Sequence, residues 1–234
     1  MMLTAIANME TIHIEGYSFL IESLSMPETI YKEFLDYKAM KDKHDYLQNF
    51  NVNTPLDLAT TIVVYGGLTE GLQLFSSFAL LLNYTRHGLM KNMGQIVTWS
   101  FRDESLHVEC MAKLFKVLLE EESDSSWNKE LEKRINEACH MIIECEDAFI
   151  DLCYQTSSDA IRNLEKNDVK QYIRYLADRR LNQFGFKEIF NVTENPLPWI
   201  DEITSNVEFA SFFETRATEY SKGAMTGSWN DAFN

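Results

Sequence analysis

The sequence predicts an all-α protein, built as a bundle of long helices, and three observations support this prediction. Only 9 Gly and 4 Pro occur among 234 residues, which points away from an all-β or α/β fold. Residues 56–84 are apolar on almost every side, as in a helix buried in the middle of a bundle. The pattern Glu-x-x-His occurs twice, at Glu10–His13 and Glu104–His107, and helix bundles use this spacing to hold paired metal ions.

Helix boundaries in the first part of the chain follow from its prolines and glycines. Residues 3–24 are expected to form one helix, because Met26-Pro27 ends it. A second helix is expected from about 28 to 49. Asn53-Thr-Pro55 is a helix start signal, since proline is favoured in the first turn, and the long buried segment follows it. Within that segment, Gly66-Gly67 predicts a distortion or a close helix contact.

Helical periodicity continues through the second part of the chain and then weakens. The further expected helices cover 95–121, about 127–156 and 168–183. The polar residues 123–126 predict a loop, and Asn195-Pro-Leu-Pro198 predicts a break. From about residue 206 the periodicity is weak. We therefore expect a helical domain over residues 1–205 and a C-terminal tail over residues 206–234.

Five side chains have the types and spacing of a two-metal site. Residues three apart lie on one face of a helix, so Glu10 with His13, and Glu104 with His107, can each direct a carboxylate and an imidazole at one point. Glu70 lies in an apolar stretch, where an isolated carboxylate is costly unless a charged group meets it. Carboxylates combined with imidazoles suit iron or manganese. The five side chains therefore predict a site for two such ions.

A complete six-ligand site would need one more carboxylate, and its expected place is not in the sequence. Glu70 precedes Glu104 by 34 residues, and the same spacing before Glu10 falls ahead of residue 1. We therefore expect an incomplete first half-site and a solvent-exposed apolar groove beside residues 3–24. A separate N-terminal polypeptide, a truncated gene or an error in the gene model would each explain this pattern.

Charge, hydropathy and cysteine usage exclude several classes of protein. The net charge of −15 argues against nucleic acid or an anionic membrane as a partner. The apolar runs are too short to span a bilayer, and residues 1–14 lack the basic start of a secretory signal. The four cysteines include no Cys-x-x-Cys pair. These features predict a cytoplasmic protein with reduced thiols.

Several motifs together resemble one known family nearly from end to end. Residues 10–17 contain Glu-x-x-His-x-x-x-Tyr, and residues 102–107 contain Arg-Asp-Glu-x-x-His. Further matching segments are 69–72, 75–78, 175–181, 195–199 and 213–220. The sequence in these segments is similar to the small, radical-generating subunit of class I ribonucleotide reductase. The resemblance implies a ferritin-like helix bundle that supports reduction of ribonucleotides to deoxyribonucleotides by a large subunit.

The resemblance also implies roles for particular residues and for partners. It implies a di-iron centre at the five predicted ligands, with manganese or a mixed pair left open, and a stable radical on Tyr17. Asp103 would orient a ligating histidine and link the metal site to the radical transfer path. Tyr220, in the tail, would pass the radical to the large subunit. A homodimer is expected as well.

Two other classes of function remain open at this point. Another carboxylate-bridged di-iron oxidase or hydroxylase would need an open substrate cavity and would make no use of Tyr17 or Tyr220. A non-catalytic or split-gene fragment would keep the fold and would need a separate N-terminal piece for activity. The missing sixth ligand is the main support for the second alternative.

Overall fold

The regular structure of the chain is entirely helical in the part that the computed structural model describes, residues 1–122, 126–157 and 161–205. The helices are α1 (Met2–Ser23), α2 (Ile30–Glu33), α3 (Lys38–Leu47), α4 (Pro55–Thr61), a π-helix (Ile62–Gln73), α5 (Phe75–Arg86), α6 (Lys91–Glu121), α7 (Asn128–Ser157), α8 (Lys166–Gln183) and α9 (Pro198–Ser205). A short 3-10 helix over Phe34–Asp36 follows α2. The all-α prediction is therefore confirmed.

The continuous segment from α4 through the π-helix to α5 forms the centre of the bundle. The π-helix has 12 residues, and nine of them are buried. These nine residues lie on all sides of the helix. The π-helix packs against α6, α7 and α8, and α5 packs against α6 and α8. This is the surrounded central helix that the apolar pattern predicts.

The distortion predicted at Gly66-Gly67 is the π-helix itself. A Cβ atom on Gly67 would lie 2.7 Å from the ring of Phe184 in the α8 C-cap, and one on Gly66 would overlap the Met111 side chain of α6. The absence of these two side chains lets neighbouring helices approach the wide π-helix closely. The glycines therefore serve packing as well as distortion.

The single helix expected over 28–49 is wrong. Tyr37 adopts an extended conformation, with φ −85° and ψ 119°, and separates the 3-10 helix from α3. Neither α2 nor α3 has a buried residue. Because α3 packs against α7 while α2 packs against the 3-10 helix, the chain turns at Tyr37 to lay α3 on the bundle.

Helix α1 lies at the edge of the structure. It packs against α6, and none of its residues is buried. Its exposed apolar side chains include Leu3, Ile12, Ile14 and Phe19. Several apolar side chains of α1 are therefore exposed, and the apolar groove expected beside residues 3–24 stays a prediction.

Residues Met1–Thr204 form one compact unit. The predicted tail, including Tyr220, lies outside the described residues. Cys110, Cys139, Cys145 and Cys153 are all free thiols. Among the described helices, none has the length and hydropathy that a membrane-spanning segment needs.

Candidate metal centre

Three helices bring the five predicted metal ligands together. Helix α1 carries Glu10 and His13, the π-helix carries Glu70, and α6 carries Glu104 and His107. The spacing of three residues places both members of each Glu-x-x-His pair on the face that points toward the other helix. The contact between α1 and α6, with the π-helix beside α6, thus closes the site.

The three glutamates, Glu10, Glu70 and Glu104, converge on His107. We call this group of four side chains the His107 corner. The Nδ1 atom of His107 lies 3.2 Å from Glu10 Oε1, 3.1 Å from Glu70 Oε2 and 3.3 Å from Glu104 Oε2. One candidate ligand atom from each of the four residues lies within 4.8 Å of all the others. Three carboxylate oxygens and one imidazole nitrogen therefore point at one small volume.

The second group, which we call the His13 corner, contains His13 and two of the same glutamates. The Nδ1 atom of His13 lies 3.4 Å from Glu10 Oε2 and 3.4 Å from Glu104 Oε1. Each of these glutamates therefore presents one oxygen to His13 and its other oxygen to His107. Two carboxylates shared in this way between two imidazoles have the arrangement that bridging ligands need. Glu70 belongs only to the His107 corner.

The polar atoms of the His107 corner are left without hydrogen bonds, and this tests whether a cation fits. Glu10 Oε1, Glu70 Oε2, Glu104 Oε2 and both ring nitrogens of His107 are buried, and none has a hydrogen-bond partner among the described residues. Buried polar atoms without partners cost free energy. A divalent cation among them would satisfy all three carboxylates and one imidazole nitrogen, and this donor set suits iron or manganese. The residues present therefore fit the predicted metal.

The electrostatics of the metal-free site favour protonated carboxylates. Burial, followed by the charges of Glu10, Glu70 and Asp103, raises the pKa of Glu104 to about 8. Burial, followed by the charge of Glu10, also raises the pKa of Glu70 to about 7. Burial lowers the pKa of His107. A bound cation would reverse this balance, because it stabilises carboxylates and neutral imidazoles as ligands.

Asp103 holds the ring of His13 from the side opposite the site. The Nε2–H group of His13 donates a hydrogen bond to Asp103 Oδ2 over 3.0 Å. With this hydrogen bond made by Nε2, the Nδ1 atom is the nitrogen that faces the shared glutamates. A carboxylate that fixes the tautomer and direction of a metal-ligating histidine in this way raises metal affinity. The contact is the one that the family resemblance implies for Asp103.

Tyr17 lies one turn after His13 on α1, and its hydroxyl donates to Ser100 Oγ over 3.0 Å. Burial raises the pKa of the Tyr17 phenol, the Ser100 hydrogen bond lowers it, and the charge of Glu104 raises it slightly. Ser100 is 2% exposed. The sequence motifs did not single out Ser100. Its position four residues before Glu104, on the same face of α6, is the signal that could have found it.

Arg180 is a second residue that the motifs left without a role. Its Nε–H donates to the carbonyl oxygen of Gly71 over 3.1 Å, next to the predicted ligand Glu70. Buried arginines are rare unless paired, and a lone sequence does not show which ones are buried.

A helix bundle that gathers three glutamates and two histidines from three neighbouring helices has the donor set and arrangement that di-metal carboxylate proteins use. The family described as ribonucleotide reductase, small chain, matches residues 1–196, and the chain belongs to this family. A protein of Invertebrate iridescent virus 3, named as a probable ribonucleoside-diphosphate reductase small subunit, is 42% identical over 98% of this chain. This chain spans 65% of that relative's length.

Two solved structures share the fold. The ribonucleotide reductase R2 subunit from Clostridium botulinum is 23% identical, with a TM-score of 0.73, covering 84% of this chain and 63% of that one. The Rnr4 homodimer from Saccharomyces cerevisiae is 20% identical, with a TM-score of 0.61, covering 92% of this chain and 62% of that one. At these identities the likeness concerns the fold alone, and it agrees with the predicted ferritin-like bundle.

Proposed function

We propose that this chain acts as the small subunit of a ribonucleoside-diphosphate reductase, in which a metal pair generates a radical stored on Tyr17. The observation that carries the proposal is the sharing of two glutamates between His13 and His107. Tyr17 lies one helical turn from His13, so a redox centre at the site would have an oxidisable phenol beside it.

The side chains of the site divide the work of such a centre. Glu10 and Glu104 would hold both ions, whereas His13 would hold one of them and Glu70 and His107 the other. Asp103 would keep the His13 ring in its ligating orientation. When bound, a pair of redox-active ions supplies the oxidising power, drawn from dioxygen, that removes one electron and one proton from Tyr17. Two iron ions are proposed, and the donor set also suits manganese or a mixed pair.

The His13 corner needs support from outside the described residues. Its protein ligands there are His13 and the two shared glutamates, fewer than in the His107 corner. We propose that a further carboxylate, from a segment outside the described residues or from a separate N-terminal polypeptide, completes it. Such a segment would also cover some of the exposed apolar side chains of α1.

The proposed partners are a ribonucleotide reductase large subunit and a second copy of this chain. The related yeast fold was solved as a homodimer. The tail over 206–234 would dock on the large subunit through Trp229 and Phe233, and Tyr220 would carry the radical toward it. Aromatic anchors are worth about 2 kcal/mol or more each. Deleting residues 223–234 should therefore weaken binding of the large subunit by at least ~30-fold without changing metal content; unchanged binding would refute this docking role.

The free cysteines support a cytoplasmic location, where thiols stay reduced. The net charge of −15 supports the proposal that nucleic acid and anionic membranes are not partners. The substrate nucleotides would then bind to the large subunit and not to this chain.

A second candidate function is favoured by the incomplete His13 corner. A family member that binds one ion tightly at the His107 corner, and forms no radical, would keep the fold and the partner while lacking catalysis. The two candidates differ in the number of ions bound and in whether a radical forms.

The radical experiment separates them. Iron(II) and oxygen are added to the purified protein, with and without the complementary N-terminal piece, and the electron paramagnetic resonance spectrum is recorded. A tyrosyl signal is expected with the complete site, and Tyr17→Phe should abolish it while iron content is unchanged. Tyr172→Phe, at a buried tyrosine of α8, is the matched control and should keep the signal. A signal that survives Tyr17→Phe would refute the assignment.

A further inference from the structure

We propose that Arg180 is a positioning residue that holds the end of the π-helix in the register that directs Glu70 at His107. The proposal rests on the metal site proposed above. It assigns to Arg180 no contact with metal or substrate; its effect would pass through the backbone of Gly71.

The first step is the unusual environment of the Arg180 guanidinium. Arg180 is 9% exposed, and no described carboxylate forms an ion pair with it. Its hydrogen bonds go to the carbonyl oxygen of Gly71 over 3.1 Å and to Gln183 Oε1 over 2.9 Å. Its charge also lies 5.4 Å from the centroid of the Phe75 ring. Burying a cation without an anion is costly, and burial lowers the pKa of Arg180 to about 10.

The second step is the position of the acceptor. Gly71 is the third residue from the C-terminal end of the π-helix at Gln73, where the π winding gives way through Leu74 to α5. A charged donor to its carbonyl makes a stronger bond than a neutral one. The π-helix is also a less common geometry than the α-helix. A strong bond at its end therefore favours the observed winding over one that would rotate Glu70 away.

The third step is steric, and it links the two ligand-bearing backbones. A Cβ atom on Gly71 would lie 2.7 Å from Arg180 Nε and 2.8 Å from Val108 Cγ2. Gly71 directly follows Glu70, and Val108 directly follows His107. The π-helix, α6 and α8 therefore meet at one tight contact, adjacent to the pair whose side chains are 3.1 Å apart.

It follows that Arg180 should matter for metal affinity beyond its effect on stability. Without it, the end of the π-helix is free to shift, and a shift of a few tenths of an ångström moves the Glu70 carboxylate relative to His107. The core of α8 would persist, because Ile173 and Leu181 are fully buried and do not depend on the guanidinium.

The test titrates Co²⁺ into the purified full chain and follows its visible absorbance, while thermal unfolding of the metal-free protein is measured in parallel. Arg180→Gln should weaken binding at the His107 corner by roughly 10- to 100-fold, the usual range for groups that orient ligands. Arg180→Lys, which keeps a charged donor, should restore part of the affinity. Arg179→Gln is the matched control, because Arg179 is exposed and donates to Tyr175, and its affinity should equal that of the wild type.

A second pair of variants keeps the test decisive if Arg180→Gln does not fold. Gly71→Ala should weaken Co²⁺ binding, because its Cβ displaces Arg180 or Val108. Gly67→Ala meets Phe184 instead, so it should lower stability without a matching loss of affinity. Equal affinities for Gly71→Ala and Gly67→Ala, or wild-type affinity in Arg180→Gln, would overturn the role of Arg180 and leave the metal site standing. No Co²⁺ binding by the wild type would refute the metal site and this inference together.

Discussion

The His107 corner and the His13 corner have the same sequence motif, yet they differ in what holds them. His107 and Glu104 are 0% and 3% exposed, and their helix α6 lies against the π-helix in the core. His13 is 11% exposed, and Glu10 beside it is 42% exposed, on a helix without a single buried residue. The motif specifies which atoms can bind a metal, whereas helix packing decides how firmly they are held.

The metal itself would then be part of what fixes α1 in place. In the metal-free protein α1 is tied to α6 by the His13–Asp103 and Tyr17–Ser100 hydrogen bonds and by partly buried contacts. Ions held by both shared glutamates would cross-link the two helices. We therefore expect the His107 corner to bind first, with Glu10 of α1 among its ligands, and the position of α1 on α6 to be fixed further as the His13 corner fills.

The largest expected effect separates a shared glutamate from an unshared one. Glu104→Gln should remove metal from both positions, because each Glu104 oxygen faces a different histidine. Glu70→Gln should affect the His107 corner only. Elemental analysis of the two purified variants, loaded identically with iron(II), measures this difference. Equal metal content in the two would mean that Glu104 is not shared.

The next effect compares the two histidines directly. His107→Ala should abolish the tighter binding step, with a loss larger than the roughly 10- to 100-fold that follows removal of an outer partner. His13→Ala should leave that step nearly intact and remove only the weaker one. Manganese(II) titrations followed by electron paramagnetic resonance resolve the two steps. If His13→Ala weakens the tighter step as much as His107→Ala does, the order of filling proposed here is wrong.

A smaller effect is the pH dependence of metal-free stability. The pKa of Glu104 is raised from 4.5 to about 8, and that of Glu70 from 4.5 to about 7. Between pH 4.5 and 8, these two carboxyl groups therefore hold more protons in the folded state than in the unfolded state. The free energy of unfolding should therefore fall as pH rises from 4.5 toward 8. Urea unfolding measured across this pH range checks the direction of the change. Glu104→Gln is the control, because its free energy of unfolding should depend less steeply on pH. Stability that rises through this range in the wild type, but not in the control, would contradict the raised pKa values.

The smallest expected effect concerns the contact beside Tyr17. Ser100→Ala should cost about 1 kcal/mol, the net contribution of a hydrogen bond, with metal content unchanged. It should alter the high-field electron paramagnetic resonance spectrum of the Tyr17 radical, which reports hydrogen bonding to the phenolic oxygen. Ser105→Ala is the control, because Ser105 donates to the Phe101 carbonyl on the same helix. Identical spectra for both variants would show that Ser100 does not touch the radical.

The sequence alone was sufficient for the helical class and the buried central segment, and it singled out five side chains that the helices bring together. Helical spacing is local, so Glu-x-x-His places a carboxylate and an imidazole on one face wherever the helix lies. The apolar character of residues 56–84 likewise shows burial without any partner being known.

Tertiary structure decided the features that depend on contacts between distant residues. The hydrogen bonds Tyr17–Ser100 and Arg180–Gly71 join residues that are 83 and 109 positions apart in the sequence. The sharing of Glu10 and Glu104 between two histidines likewise depends on the packing of α1 against α6. The break in the helix at Tyr37 was also not predicted, because it depends on the packing of α3 against α7. Periodicity describes one helix at a time, and only the packed bundle determines which faces meet.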